Sequence, residues 1–165
     1  MSVDIGAAAP DFTLKDQDNS AVVLSSFRGK SAVLLVFYPF AFSRICTGEL
    51  CQLRDDLAIY VDAGVEVLAI SADPTYALKA YAAAEGYRFT LLSDFWPHGA
   101  VACAYGVFNE KAGTAVRGTF LVDTNGIAVF AEVNGPGEPR DQVAWQRAVA
   151  AASAAALMPG QQPTA

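Results

Sequence analysis

An apolar run, Ala32-Val33-Leu34-Leu35-Val36-Phe37-Tyr38, leads into Pro39-Phe40-Ala41-Phe42-Ser43-Arg44-Ile45-Cys46, and from there into Thr47-Gly48-Glu49-Leu50-Cys51-Gln52-Leu53-Arg54-Asp55. The run has the length and uniform apolarity of a fully buried strand, and the last segment has helical spacing. The junction therefore delivers a cysteine to the start of a helix. Unpaired backbone N–H groups and the helix dipole favour an anion there. For cysteine that anion is the thiolate, its nucleophilic form. A lone cysteine would more simply be structural, because free Cys is among the most buried residue types. The hydroxyl of Ser43, three residues earlier, and Pro39, four before that, tilt the reading towards chemistry.

The rest of the chain alternates strands with helical patterns, which implies an α/β layer architecture. Phe12-Thr13-Leu14 and Val22-Val23-Leu24 read as short strands around the polar turn Lys15–Ser20. The helix after Cys46 is expected from about Ser43, with Leu50, Leu53 and Leu57 on one face. Val65–Ile70 is the next strand. Asp73-Pro74 should open a helix, with the carboxylate as N-cap, and Gly86 should close it. A strand near Leu91 precedes a short helix from about Pro97 to Tyr105. Thr119–Val122 and Ala128–Ala131 form a hairpin on the Asn125-Gly126 turn signal. The last helix carries Trp145, Val149, Ala152 and Ala156 on one face. The expected organisation is one domain over residues 1–157 and a flexible C-terminal tail over residues 158–165, where Pro159, Gly160 and Pro163 cannot continue a helix.

A chain of 165 residues with 53% hydrophobic and 17% charged residues is long and apolar enough for one proper core. A net charge of -6 argues against a nucleic-acid partner, which would need a basic stripe. No secretory signal is visible at Met1–Gly6, and the longest apolar run is too short to span a bilayer, so the expectation is a soluble, cytoplasmic protein with no membrane partner. Three cysteines in that compartment suggest catalysis or redox sensing before a disulfide framework. Cys103, among Val101, Ala102 and Ala104 on a predicted helix, is expected to be buried packing. His98 stands alone, and nothing in the sequence makes a convincing metal site.

The spacing Pro39-x3-Ser43-x2-Cys46 resembles the active-site motif of the peroxiredoxins, thiol peroxidases built on a thioredoxin-like fold. Further blocks in the family's order extend the resemblance over most of the chain: Ala9–Leu14, Phe89–Asp94, Ala104–Val107 and Arg117–Asp123. Ser93–Ala100 followed by Tyr105–Glu110 is most similar to the alkyl hydroperoxide reductase E branch. The resemblance implies a thioredoxin-like α/β fold, a central mixed sheet flanked by helices, and a thiol-dependent peroxidase for hydrogen peroxide, organic hydroperoxides and peroxynitrite. It makes Cys46 the peroxidatic nucleophile and Arg117 the guanidinium beside it. Ser43, in place of the commoner Thr, supplies a hydroxyl for peroxide and thiolate, and Pro39 shields the sulfur. Glu49 also matches the family pattern, although a solvated helix residue would look the same in sequence.

Such a site has clear requirements. Free cysteine ionises near pH ~8.5, so positive charge must hold the thiolate and then stabilise the departing oxygen. No metal, haem, flavin or other cofactor is needed. Cys51 stands at the Cys-x4-Cys spacing of the bacterioferritin comigratory protein (peroxiredoxin Q) branch, whose second cysteine resolves the sulfenic acid. By that resemblance Cys51 is the candidate resolving cysteine, and a small helix-face residue is the alternative. In an intact helix the two residues are separated by ~7.5 Å of rise and nearly opposed. A disulfide needs Cα atoms within about 7 Å, so the first turns would have to unwind, and Gly48 lowers that cost. The expected reductant is a thioredoxin- or glutaredoxin-like protein or a low-molecular-weight thiol; the oligomeric state, a homodimer included, stays open. Two other classes share the fold: a thiol-disulfide reductase, which would want a Cys-x2-Cys pair, and a non-enzymatic metallochaperone or chaperone, which would not need Pro39, Ser43 and Arg117. Trp96, Phe40, Phe42 and Phe108 are read as core, with an apolar approach for an alkyl chain as the alternative.

Overall fold

The computed structural model describes residues 2–156. In chain order the elements are β1 (Thr13–Asp16), β2 (Ala21–Val23), β3 (Ala32–Phe37), α1 (Arg44–Asp55), α2 (Leu57–Asp62), β4 (Val65–Ser71), α3 (Thr75–Glu85), β5 (Thr90–Ser93), α4 (Ala100–Ala104), β6 (Phe108–Asn109), β7 (Thr114–Ala115), β8 (Arg117–Val122), β9 (Ala128–Asn134) and α5 (Gln142–Ala156). A mixed sheet of seven strands runs in the order β2-β1-β5-β4-β3-β8-β9, and β6 and β7 form a separate small ribbon. β3 is an interior strand, parallel to β4 and antiparallel to β8.

The position of β3 follows from its composition. Val33, Leu34, Leu35, Val36 and Phe37 are all within 1% of complete burial. Alternation sends Leu34 and Val36, and Tyr38 beyond them, to a layer with Leu50, Leu53, Tyr60, Leu78, Tyr81, Trp145 and Val149 from α1, α2, α3 and α5. Val33, Leu35 and Phe37 face the other layer, with Phe12, Leu14, Leu92, Tyr105 and Phe120. Burying each such side chain is worth about 1.5–3 kcal/mol. A strand covered on both faces has no room for polar alternation, which is why β3 reads as continuous apolar sequence.

Several local expectations are corrected. β2 ends at Val23, and Leu24 begins a 3-10 turn. The helix expected to carry Leu57 breaks at Asp56, giving α1 and then α2. Asp55 and Asp56 place two carboxylates at the negative end of α1, which disfavours continuation. Asp73 does not cap α3: Pro74 is the N-cap residue. The Asp73 carboxylate instead accepts the Ala41 N–H at 2.9 Å and the Ser71 hydroxyl at 2.7 Å. It thus ties the loop after β3 to the end of β4. Gly86 closes α3 in the left-handed conformation, φ 67°. α4 is shorter than expected and only Ala102 on it is fully buried, so Cys103 points outward and is exposed rather than packed. Phe40, Phe42 and Trp96 are also exposed rather than core, Trp96 by 82%.

The hairpin β8–β9 forms as expected, with Gly126 at φ 82° in the turn. On α5, Trp145 and Val149 are buried and Ala152 packs at the core edge. The side chain of Ala156 and the tail expected over 158–165 lie outside the described residues. Among the described residues no helix is long and apolar enough to cross a membrane.

Candidate active site

The loop Tyr38–Ser43 carries the chain from the end of β3 into α1. Its course is set at both ends: the Tyr38 N–H still bonds Ile70 of β4 at 3.0 Å, and Asp73 holds Ala41. Between them Phe42 adopts φ 66° with its ring 4.8 Å from that of Tyr81. A left-handed conformation at a bulky residue costs about 1–3 kcal/mol, so the packing around it must impose it. Ser43 then turns extended, φ -69° and ψ 145°, and is the N-cap of α1. Its Oγ accepts the Cys46 N–H at 3.4 Å, and its carbonyl accepts the Thr47 N–H at 2.9 Å.

Cys46 therefore lies in the first turn of α1, 3% exposed. It opens onto a cavity of about 240 Å³ lined by Pro39, Ser43, Ile45, Val116, Arg117 and Pro136 among others. Four of the sequence-predicted residues, Pro39, Ser43, Cys46 and Arg117, come together there. Phe40, Phe42, Trp96 and Phe108 do not line this cavity.

Arg117 opens β8 opposite Asn134 of β9 and is 6% exposed. Its Nη1 donates to the Glu138 carbonyl at 2.5 Å, and its Nη2 is paired with Glu49 Oε1. Its Nε is buried and has no hydrogen-bond partner among the described residues. Glu49 is no solvated helix residue: its other oxygen pairs with Arg140 Nε. Arg140 is buried, donating to the Gly118 carbonyl at 3.2 Å, to Thr119 Oγ1 at 3.1 Å and to the Phe37 carbonyl. Burial, and then Arg117, push its guanidinium below the usual arginine range to about 9, while Cys46 and Glu132 act in the opposite direction. At neutral pH it keeps its proton. Two guanidiniums around one carboxylate leave one net positive charge beneath Cys46, which a thiolate would balance.

Arg140 is the residue that sequence reasoning missed. It lies next to the Gly/Pro-rich loop, and its partners come from β3, α1 and β8, far away in sequence. No spacing signals it. Asp73 stands in sequence where a helix cap is expected, and only the fold shows that its carboxylate holds the loop instead.

Cys51 is not part of this cavity. α1 is unbroken through both cysteines, and all three cysteines are free. Cys51 is half-buried near α3, its thiol 3.5 Å from Glu85 Oε2 and its sulfur 3.7 Å from the Tyr87 hydroxyl. A chain of hydroxyls runs onward, Tyr87 to Tyr81 at 3.3 Å and Tyr81 to Thr47 at 2.9 Å. Burial raises the Tyr81 and Tyr87 phenols above the usual tyrosine range, so both stay protonated near neutrality. His98 is engaged structurally, its ring nitrogens against the Phe95 and Gly113 carbonyls. Among the described residues no group of three or more His, Cys, Asp or Glu gathers where a metal ion could sit.

Known proteins resemble this chain in sequence and in fold. The AhpC/TSA family profile matches residues 5–131. Alkyl hydroperoxide reductase E of Mycobacterium tuberculosis (strain ATCC 25618 / H37Rv) is 55% identical over 152 residues, covering 92% of this chain and 99% of that protein. The chloroplastic peroxiredoxin Q of Triticum aestivum is 40% identical over 129 residues, covering 78% of this chain and 58% of that protein. Among solved structures, peroxidoxin BcpB from Mycobacterium tuberculosis matches with a TM-score of 0.80 at 28% identity, over 94% of this chain and 99% of its own. AhpC from Enterococcus faecalis matches with a TM-score of 0.85 at 27% identity, over 99% of this chain and 100% of its own.

Proposed function

This chain belongs to the AhpC/TSA family, the thiol-dependent peroxidases on the thioredoxin-like fold, and we propose that Cys46 is the residue through which it reduces peroxides. The Cys46 thiolate attacks one peroxide oxygen. The O–O bond breaks with its electron pair on the other oxygen, which leaves as alkoxide or hydroxide and takes a proton. The products are ROH and a Cys46 sulfenic acid. The burial of Cys46 at an N-capped helix start, facing a cavity that also holds Arg117, is the observation that carries this reading.

The other site residues follow from the same step. Ser43 Oγ accepts from the backbone, so its own O–H remains to donate to the thiolate or a peroxide oxygen. The unpartnered Nε of Arg117 supplies a charge-assisted donor to the oxygen that gains charge. Glu49, backed by Arg140, holds that guanidinium in place, and Pro39 walls the sulfur from solvent. A cavity of about 240 Å³ is several times the ~30 Å³ share of a water-sized molecule. With Ile45, Val116 and Pro136 on its wall it has room for an organic hydroperoxide beside hydrogen peroxide or peroxynitrite.

Cys51 is then the resolving cysteine, and a thioredoxin- or glutaredoxin-like protein or a small thiol returns both sulfurs to the reduced state. We take the setting to be the cytoplasm and the working form to be a homodimer; a single-chain mass in sedimentation at micromolar concentration would argue against the dimer. Cys46→Ser tests the central role. It should abolish peroxide consumption while leaving the circular dichroism spectrum unchanged, and retained turnover would remove Cys46 from the mechanism.

A further inference from the structure

We propose that Glu85 accepts the Cys51 proton during disulfide formation, a role that rests on the reading of Cys51 as the resolving cysteine. The starting point is which half of α1 can move. Leu50 and Leu53 are essentially fully buried and anchor the half that carries Cys51. The half that carries Cys46 begins with exposed Ile45 and contains Gly48, around which there is open space. Unwinding the first turns would carry the Cys46 sulfenic acid, while Cys51 stays where α3 meets it.

At that place Cys51 faces groups of defined chemistry. Glu85 Oε2 is 3.5 Å away and accepts a hydrogen bond from its thiol. Tyr87, its hydroxyl 3.7 Å from the sulfur, stays protonated, so it can donate to a sulfur anion but cannot take a proton, and Tyr81, bonded to Tyr87, stays protonated behind it. Arg54 of α1 donates to the Glu85 carbonyl at 2.6 Å and pairs with Asp55 at 2.9 Å, which fixes the end of α3 against α1. Among the described residues hydrogen-bonded to the Cys51 sulfur, Glu85 supplies the one carboxylate.

The Cys51 proton passes to Glu85, the Cys51 sulfur attacks the Cys46 sulfur, an S–S bond forms and the S–O bond breaks. Hydroxide departs and takes a proton to become water. The Cys51 sulfur is oxidised and the sulfenic sulfur reduced.

The test uses reduced full-length protein mixed with one equivalent of hydrogen peroxide, followed by acid quench and mass spectrometry across pH 6–10. Glu85→Gln should oxidise Cys46 at the wild-type rate but form the Cys46–Cys51 disulfide about 10²-fold more slowly at pH 7. The deficit should close towards pH 10, where solvent ionises ordinary thiols, and Glu85→Asp should recover part of the rate. A purely structural role would slow the step equally at every pH. Disulfide formation by Glu85→Gln at the wild-type rate, or a deficit independent of pH, overturns the proposal. A wild type that stops at sulfenic acid with Cys51 still alkylatable overturns the resolving role itself, and Glu85 falls with it.

Discussion

Arg117 and Arg140 share Glu49, and the consequences of removing each partner differ. Arg117→Ala leaves Glu49 still paired with Arg140, so no buried charge is stranded and the fold should hold. What is lost is the proposed donor for the departing oxygen. The rate with hydrogen peroxide should fall by about 10²–10³, and it should stay low at a pH where all the sulfur is ionised. Stopped-flow measurement there separates the two roles of the residue: recovery of the wild-type rate would leave Arg117 holding the thiolate and nothing more. Glu49→Gln does the opposite, leaving two buried guanidiniums with no carboxylate paired to them among the described residues. It should destabilise the protein by about 3–5 kcal/mol, read from urea unfolding. A loss below about 1 kcal/mol would mean that the ion triad does not hold the site.

At the scale of elements, the resolving role proposed for Cys51 asks α1 to be both rigid and breakable: its first turn positions Cys46, yet a Cys46–Cys51 disulfide needs that turn to open. Gly48 is the weak point, with nothing within 4 Å of where a Cβ would lie. Gly48→Ala should stabilise the folded helix by about 1 kcal/mol and slow disulfide formation about fivefold, with the peroxide step unchanged. Equal disulfide rates in the two proteins would show that α1 need not unwind there. The parts of the fold legible in sequence are those where a local pattern and a tertiary demand coincide. β3 is an unbroken apolar run because both its faces are covered, Gly86 ends α3 because a left-handed residue is needed, and Pro39, Ser43 and Cys46 sit within one turn and one loop. The parts that were not legible depend on contacts between distant segments. Arg140 reaches Glu49 and the end of β3 across about a hundred residues of chain. Asp73 spends its carboxylate on the active-site loop rather than on the helix it precedes. Cys103 looked buried by composition, but α4 is too short to turn more than one face inward.

In the whole molecule the candidate site is built by β3 and the two strands beside it. β3 delivers the loop and helix of Cys46, its antiparallel neighbour β8 delivers Arg117, and residues beyond β9 deliver Pro136 and Arg140 to the same end. The cavity is thus walled by segments that only the complete fold assembles. Trp145 belongs to the same core layer as Cys46, while Trp96 is exposed, which gives a buried and a surface reporter. The most direct measurement mixes the reduced protein with one equivalent of hydrogen peroxide and follows tryptophan fluorescence, residual peroxide and the mass of the Cys46 peptide together. A fast second-order phase should consume one peroxide per chain and oxidise Cys46 first, present in Cys51→Ser and absent in Cys46→Ser. Peroxide consumed at the wild-type rate by Cys46→Ser, or Cys46 left unmodified while peroxide disappears, would contradict it.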